Sequence, residues 1–379
     1  MHILYAFPEP FPINRARGVQ VAHSVCALAS QGVALYFAYV PAEAGDPFSS
    51  YGIKKPGTVT LVPLSRGFGW PLHKLPLHSN KLFFCRLRKW LNHAYKKSLL
   101  PDCIMVRHIK LASFLLQNFP DIPLLYEAHE VFAEVAPENK RAKIYEIERM
   151  VLERAAIVTA NSSGTAKKIM ERYRIDRDIF ILPNGVAMPE SLPEKPWTES
   201  RLHVIYTGSL FEWKGVQYLV EAARWLPGFR ITIIGGEPHQ IEKLCKYVTS
   251  DGAEIVFRGH LPHKQTIELV SGSCIAVLPN RNDENSAFTS PLKLFEYMAS
   301  GCAVVASDIQ SIREIVEDNE AIWFEPANPK ALAAAIKKLA SAPQTAKHMG
   351  EKLRRKAYDY TWEARAKKQI NIIREANVS

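Results

Sequence analysis

The chain has 379 residues, of which 47% are hydrophobic and 23% are charged, a composition typical of a soluble protein with room for two domains. No apolar run reaches the ~18 residues that span a bilayer, and the opening MHILYAF lacks the basic and apolar regions of a secretory signal. The six cysteines form no CxxC pair, which argues against a zinc site or a disulfide framework and favours a cytoplasmic protein.

The net charge of +10 is unevenly distributed along the chain. Residues 1–110 contain 14 Lys and Arg but only 4 Asp and Glu, so this part accounts for the whole net charge. Such an asymmetry indicates an anionic partner for the N-terminal part. Nucleic acid is not the expected partner, because no nucleic-acid-binding module is recognisable and that interpretation leaves the motifs of the second half unexplained.

Short apolar runs predict strands in both halves of the chain. The first half contains HILYAF, VALYFAYV, TVTLVPL, CIMVRH, PLLYEAH, AIVTANS and IFILPNG, and the second contains HVIYTG, ITIIGG, EIVFRG, CIAVLPN, AVVAS and AIWFE. Helical patterns such as GVQVAHSVCALASQG, VQYLVEAARWL and KALAAAIKKLAS lie between them. This alternation predicts an α/β fold with two Rossmann-like domains built on parallel sheets that face each other across a cleft. The polar, proline-rich PESLPEKPWTESR predicts the boundary between residues 192 and 193.

Ligands of open α/β sheets bind beyond the carboxyl ends of the strands, so the loops there are candidate sites. After the first strand, Arg15 precedes a helix that opens with Gly18 and Val19, where backbone amides can receive a phosphate. The alternative is a turn glycine with solvated arginines. Another loop, YEAHEVF, places His129 next to Glu127, and a histidine there suits proton transfer or a structural cap.

Two loops of the second half carry further candidates. YTGSLFEWKGV offers Gly208, Ser209 and Lys214 after a strand, and Lys214 suits a phosphate as a point charge, although a surface lysine before a turn is the plain alternative. FRGHLPHKQ adds Gly259 and His260.

The stretch TSPLKLFEYMASG predicts a helix with an unusual first turn. Ser290 suits the N-cap and Pro291 the first helical position, with Leu292 next. Lys293 then stands where a capping box needs Glu or Gln, and its charge opposes the helix dipole. An anion such as a diphosphate at this helix end resolves the conflict, with Glu296 one turn deeper for ribose hydroxyls; a plain i,i+3 salt bridge is the alternative.

The motifs YTGSLFEWKGV, SPLKLFEYMASGCAVVASD, ILPNGV and ANSSGTAKKI occur in this order and resemble those of nucleotide-sugar glycosyltransferases of family 4. The resemblance implies the GT-B fold and transfer with retention of anomeric configuration. It implies an N-terminal acceptor-side domain, residues 1–192, completed by a last helix at 361–379 that crosses back, and a nucleotide-sugar-binding domain at 193–360.

Site roles follow from the resemblance position by position. Glu296 matches the second glutamate of a Glu-x7-Glu motif, which binds the ribose, and Lys214 matches a lysine that stabilises the leaving diphosphate. Residues 291–293 match the helix start that holds the distal phosphate. In the first domain, Gly18 matches a glycine loop near the donor, and His129 resembles a histidine near the transferred sugar. His129, Lys214 and Glu296 are thus the predicted catalytic set.

Two positions depart from the family pattern. The first glutamate of Glu-x7-Glu is Phe288 here, so Asp283 or its neighbours at 284–285 are candidates to contact the sugar. Ser209 stands where many members have an arginine beside the diphosphate, which leaves Lys214, with Lys293 or Arg15, to carry the positive charge.

The resemblance implies a hexose-type transfer to a glycan or lipid-linked acceptor in polysaccharide or cell-envelope synthesis, with a UDP-sugar favoured as co-substrate. No Asp-x-Asp pair follows a strand, so no obligatory cofactor or metal is expected. Residues 64–97 interleave aromatic and basic residues, which predicts a peripheral contact with an anionic membrane or a plain helix with solvated lysines. A sugar-nucleotide epimerase of the same fold and an inactive nucleotide-sugar-binding scaffold are the rival functions.

Overall fold

A computed structural model describes residues 1–13, 15–42, 45–67, 80–97, 99–195, 197–198, 203–283, 286 and 292–378. The chain forms two compact units, each built on a parallel sheet, which confirms the predicted α/β class. One unit contains Met1–Pro183 and the residues from Trp362 onward, and the other is Asn184–Thr361. The division falls earlier than the proline-rich segment, because Val186 already pairs with Thr361 of the second unit.

Within the described ranges the strands are β1 (His2–Phe11), β2 (Ala34–Pro41), β3 (Val59–Pro63), β4 (Cys103–Val106), β5 (Leu124–Ala128), β6 (Ile157–Ala160), β7 (Phe180–Ile181), β8 (His203–Thr207), β9 (Arg230–Ile234), β10 (Glu254–Phe257), β11 (Ile275–Leu278), β12 (Ala303–Ser307) and β13 (Ile322–Phe324). They are ordered β3-β2-β1-β4-β5-β6-β7 in the first unit and β10-β9-β8-β11-β12-β13 in the second. Strands β4, β5, β6, β11 and β12 are buried throughout, as apolar strands covered on both faces should be.

The α-helices of the described residues are α1 (Ala16–Ser30), α2 (Asn80–Lys96), α3 (Ile109–Asn118), α4 (Phe132–Val135), α5 (Glu138–Arg154), α6 (Ser163–Tyr173), α7 (Val216–Ala222), α8 (Pro238–Cys245), α9 (His263–Gly272), α10 (Leu292–Ala299), α11 (Gln310–Arg313), α12 (Pro329–Ala340), α13 (Pro343–Ala357) and α14 (Trp362–Val378). Short 3₁₀ turns occur at Ser49–Tyr51, Glu212–Lys214, Ala223–Trp225 and Tyr358–Tyr360.

The last helix, α14, belongs to the first unit, as the family resemblance implies. It packs against α1, where the rings of Trp362 and His23 stack with their centroids 5.6 Å apart. Ile370 and Ile373 of the same helix are buried. The helix therefore completes the hydrophobic core that the N-terminal part of the chain begins.

The strand order places one switch point in each sheet. In the first sheet the order reverses between β1 and β4, and in the second it reverses between β8 and β11. A crevice forms at such a point beyond the carboxyl ends of the two strands, and it is the usual ligand position of open α/β sheets. The expected ligand positions are thus the loops after β1 and β4 and those after β8 and β11.

Candidate functional site

The loop after β8 carries Lys214 to the end of the neighbouring strand β11. Gly215 has a φ of +67°, and a Cβ there would lie 1.8 Å from the carbonyl oxygen of Pro279, so only glycine fits. The backbone N–H of Arg281 also donates to the Trp213 carbonyl over 3.0 Å. These contacts fix Lys214 at the switch point of the second sheet.

Hydrogen bonds hold the strand-end loops of the second sheet together. The N–H of Gly208 donates to the Ile234 carbonyl over 2.8 Å, and the N–H of Gly235 donates to the Gly259 carbonyl over 2.6 Å. Gly208 and Gly259, both predicted site residues, therefore lie at one edge of the sheet. Gly235 belongs to the same edge and was not predicted, although it directly follows the apolar residues of the run ITIIGG.

Helix α10 is attached to the same edge through two tyrosines. The N–H of Thr207, the last residue of β8, donates to Tyr297 Oη over 2.9 Å. Lys293 Nζ, from the first turn of α10, donates to Tyr206 Oη over 2.6 Å, and Tyr206 Oη donates to the Ser209 carbonyl over 2.8 Å. Lys293 thus turns back over the end of β8. Ser290 and Pro291, predicted to open this helix, lie outside the described residues, as does Phe288.

Gly208 makes room for the Lys293 side chain. Gly208 has a φ of +121°, and a Cβ there would lie 2.7 Å from Lys293 Cε and 2.8 Å from its Nζ. The positive φ favours glycine here, and the missing side chain leaves the space that the end of the Lys293 side chain occupies. The alternative of a Lys293–Glu296 salt bridge is not what the structure shows, because each side chain has a different partner.

Two lysine side chains converge at this edge, Lys214 buried and Lys293 half-buried. The Lys214 side chain is only 7% exposed, and burial lowers its pKa to about 7, while Asp283 acts in the opposite direction. Burial lowers the pKa of Lys293 well below its ordinary value, and the charge of Lys214 lowers it further. Over the described part of the chain, neither ammonium has a carboxylate within ion-pair distance. Lys214 Nζ instead lies 3.7 Å from the centroid of the Trp213 ring. An anion placed beside these two lysines would favour their charged forms.

Glu296 is paired with a histidine that the sequence analysis did not single out. His263 Nε2 and Glu296 Oε1 lie 3.0 Å apart, and the hydrogen bond to this carboxylate raises the pKa of His263. The predicted residue His260 is exposed and pairs with Glu237 over 3.2 Å. The histidine next to Glu296 is thus the one that opens α9, directly after Pro262.

In the first unit, the predicted glycine loop is closed by contacts of the chain itself. A Cβ on Gly18 would lie 2.4 Å from both the Ile13 carbonyl oxygen and Tyr51 Oη. The Tyr51 hydroxyl accepts from the Ile13 N–H over 2.7 Å and donates to the Ile13 carbonyl over 2.9 Å. Arg15, the N-cap residue of α1, is exposed, and Val19 is half-buried. Packing alone therefore requires glycine at position 18.

His129 lies beside an arginine that follows β4. Arg107 Nε donates to His129 Nε2 over 2.8 Å, and its Nη2 donates to Gln20 Oε1 over 3.1 Å. Burial and the adjacent guanidinium lower the pKa of His129 well below its ordinary value. His129 is therefore a neutral imidazole that accepts a hydrogen bond. Arg107, which was not predicted, adds a cation at this switch point.

The carboxylate of Glu127 is buried and hydrogen-bonded to three side chains of the first unit. It is 2% exposed and accepts from Arg365 Nη2 over 2.7 Å, Tyr5 Oη over 2.9 Å and Gln369 Nε2 over 3.2 Å. Burial alone would raise the pKa of Glu127, but Arg365 and Arg107 hold it below its usual range. These partners tie the carboxylate to α14, which opposes a role for Glu127 as a covalent nucleophile.

The basic aromatic segment is only partly described, because residues 68–79 lie outside the described ranges. From Asn80 to Lys96 it forms α2, whose apolar side chains, including Phe83, Leu87 and Leu91, are buried in the core of the first unit. Its exposed face carries basic residues and no acidic one. Among the described residues no helix is long and apolar enough to cross a membrane, and no group of three or more His, Cys, Asp or Glu side chains is arranged to hold a metal.

Two family models together span most of the chain. Residues 18–188 match the family described as Glycosyltransferase Family 4, and residues 187–356 match Glycosyl transferases group 1. Each model covers one of the two Rossmann-like halves seen in the structure. The chain therefore belongs to the glycosyltransferases of family 4, which have the GT-B fold.

Individual relatives are distant. Alpha-maltose-1-phosphate synthase of Mycolicibacterium smegmatis is 26% identical over 263 residues, which are 61% of this chain and 66% of that protein, just under two thirds of its length. Sucrose-phosphate synthase from Thermosynechococcus elongatus aligns over 99% of this chain and 98% of its own, with a TM-score of 0.72 and 19% identity. Alr3699/HepE from Anabaena, solved in complex with UDP-glucose, aligns over 99% and 100%, with a TM-score of 0.70 and 16% identity. The structural similarities show the shared fold.

Proposed function

We propose that the protein is a retaining glycosyltransferase that transfers a hexose from a nucleotide sugar, with a UDP-sugar favoured, to a glycan or lipid-linked acceptor. The observation that carries this proposal is the pair of lysines at the switch point of the second sheet, Lys214, which is buried, and Lys293, which is half-buried. A buried ammonium without a carboxylate costs folding free energy. A ligand with two negative charges, such as a diphosphate, offsets that cost when it binds.

The same two lysines would also stabilise the nucleoside diphosphate as it leaves the sugar. Breaking the bond between sugar and diphosphate develops negative charge on the leaving phosphate, and fixed ammonium groups stabilise that charge without reorganising. Lys293 supplies the cation that is missing at Ser209. Its contacts with Tyr206 and Gly208 hold it over the end of β8 before any ligand arrives. Glu296 would bind the ribose hydroxyls from the next turn of α10.

Retention is assigned to front-face attack, in which the leaving phosphate helps to deprotonate the acceptor. This assignment is supported by the state of Glu127, whose carboxylate is buried and paired with Arg365. A double displacement would leave Glu130 as the other nearby carboxylate. Incubation with a slow donor and intact-mass spectrometry tests this point: an unmodified chain fits front-face attack, and a stable glycosyl adduct overturns it.

The first unit, Met1–Pro183 with the residues from Trp362 onward, is assigned the acceptor, and Asn184–Thr361 is assigned the donor. The positive charge of the first unit supports an anionic acceptor or an anionic membrane that presents it. Because the apolar face of α2 is buried, its contact with lipid would be electrostatic, through exposed side chains such as Arg88, Lys89 and Lys96.

A donor screen tests the proposal. Thermal shift with UDP-, GDP- and ADP-sugars should show stabilisation by one of them, and NMR of that donor should show slow release of the nucleoside diphosphate. Lys214→Met and Lys293→Met should remove the shift, whereas Lys337→Met, an exposed lysine on α12, should keep it. Epimerisation of the sugar without release would favour the epimerase. No shift with any donor would overturn nucleotide-sugar binding.

A further inference from the structure

Glu296 uses only one of its two carboxylate oxygens within the described structure. Oε1 accepts from His263 Nε2 over 3.0 Å, and no described hydrogen-bond donor is assigned to Oε2. The Glu296 side chain is 19% exposed and that of His263 is 47% exposed. One oxygen therefore faces a fixed partner, while the other remains available to a ligand at the same helix.

The position of His263 is set by the fold. It is the first residue of α9, after the N-cap residue Pro262, and α9 packs against α10, which carries Glu296. The other charged residues of these two helices are Lys264 and Glu268 on α9 and Lys293 on α10. Lys293 donates to Tyr206 and is thus directed away from this pair. Glu296 is therefore the charged group that His263 contacts.

We propose that His263 is a positioning residue of the donor site: it holds the Glu296 carboxylate through one oxygen, so that the other accepts from a vicinal diol such as that of a ribose. This inference rests on the proposed nucleotide-sugar function. A glutamate side chain has three rotatable bonds, and fixing it before the ligand arrives removes part of the ordering cost of binding. The imidazolium form strengthens the hold, because a hydrogen bond between two charged groups is stronger than one with a neutral donor.

The proposal is tested by the preference for a diol rather than by affinity alone. Calorimetric titration measures the affinity for UDP and the affinity for 2′,3′-dideoxy-UDP. In the ratio of the first affinity to the second, the contribution of the phosphates and of the two lysines cancels. His263→Ala should lower this ratio by about three- to tenfold. His263→Gln, which keeps a donor of similar reach, should recover part of the loss. His348→Gln, an exposed histidine on α13, is the matched control and should leave the ratio unchanged.

The pH dependence separates positioning from simple packing. Because Glu296 raises the pKa of His263, the wild-type ratio should be highest below that pKa and fall as pH rises through it, whereas the His263→Gln ratio should be flat. Equal losses of affinity for both ligands, or an unchanged ratio in His263→Ala, would overturn the positioning role while leaving nucleotide binding intact. Failure of the wild type to bind UDP, GDP or ADP would overturn the proposed function and this inference together.

Discussion

Replacing Lys214 with methionine should stabilise the protein and remove its nucleotide binding. Methionine keeps the length and apolar body of the side chain but carries no charge. Burial lowers the pKa of Lys214 from 10.5 to about 7, so the folded chain binds a proton at this side chain more weakly than the unfolded chain does. At pH 7 this difference costs the wild type about 4 kcal/mol of folding free energy. Loss of the cation–π contact with Trp213 offsets about 1 kcal/mol, which leaves a gain of about 3 kcal/mol.

The gain should depend on pH with a definite sign. Between pH 7 and 10.5 the unfolded chain binds more protons at Lys214 than the folded chain does, so the wild type gains stability as pH rises. At pH 9 the lowered pKa of Lys214 should therefore cost the wild type only about 2 kcal/mol of folding free energy. The contribution of the cation–π contact is not included in this value. Urea unfolding at pH 7 and pH 9 measures both values, with Lys337→Met as the control. The claim that burial of Lys214 costs folding free energy would be refuted if the variant were less stable than the wild type at pH 7. A difference in stability that does not change with pH would refute it as well.

Three further changes test other parts of the account. Gly208→Ala places a methyl group against the Lys293 side chain and should weaken UDP binding by about tenfold in calorimetric titration; unchanged affinity would contradict the idea that the observed position of the Lys293 side chain matters for binding. Arg365→Met leaves the buried carboxylate of Glu127 short of its main partner and should cost about 3 kcal/mol in urea unfolding, with a smaller cost in a Glu127→Gln background; a loss below 1 kcal/mol would contradict the buried pair. Arg88→Glu should reduce flotation with anionic vesicles and not with neutral ones, and equal flotation with both would argue against an electrostatic membrane contact.

The fold could be predicted because its determinants are local. Alternation of apolar strands with helical patterns specifies parallel sheets, and β4, β5 and β6 are buried on both faces as that pattern requires. The predicted strand IFILPNG is reduced to Phe180–Ile181, at the edge of the sheet, where pairing is available on one side only.

Parts of the candidate site could be predicted, some from their place in loops after strands and one from a local conflict. Lys293 opposes the dipole of its helix, and that conflict is visible in the sequence. His263 and Tyr206 were missed because their roles depend on contacts with α10, far away along the chain. The Glu127–Arg365 pair joins residues 238 positions apart, and no sequence pattern specifies such a pairing. One signal for His263 was present, since it directly follows a proline that precedes a helix.

The central claim is that Lys214 and Lys293 form the diphosphate site of a nucleotide-sugar transferase, and proton uptake on binding tests it most directly. A bound diphosphate should restore the charge of both lysines, whose pKa values burial has lowered. Titration with UDP at pH 8, in two buffers of different ionisation enthalpy, should therefore show uptake of about one proton or more per site, and Lys214→Met should show no binding. Binding without proton uptake, or binding unchanged in Lys214→Met, would contradict the claim.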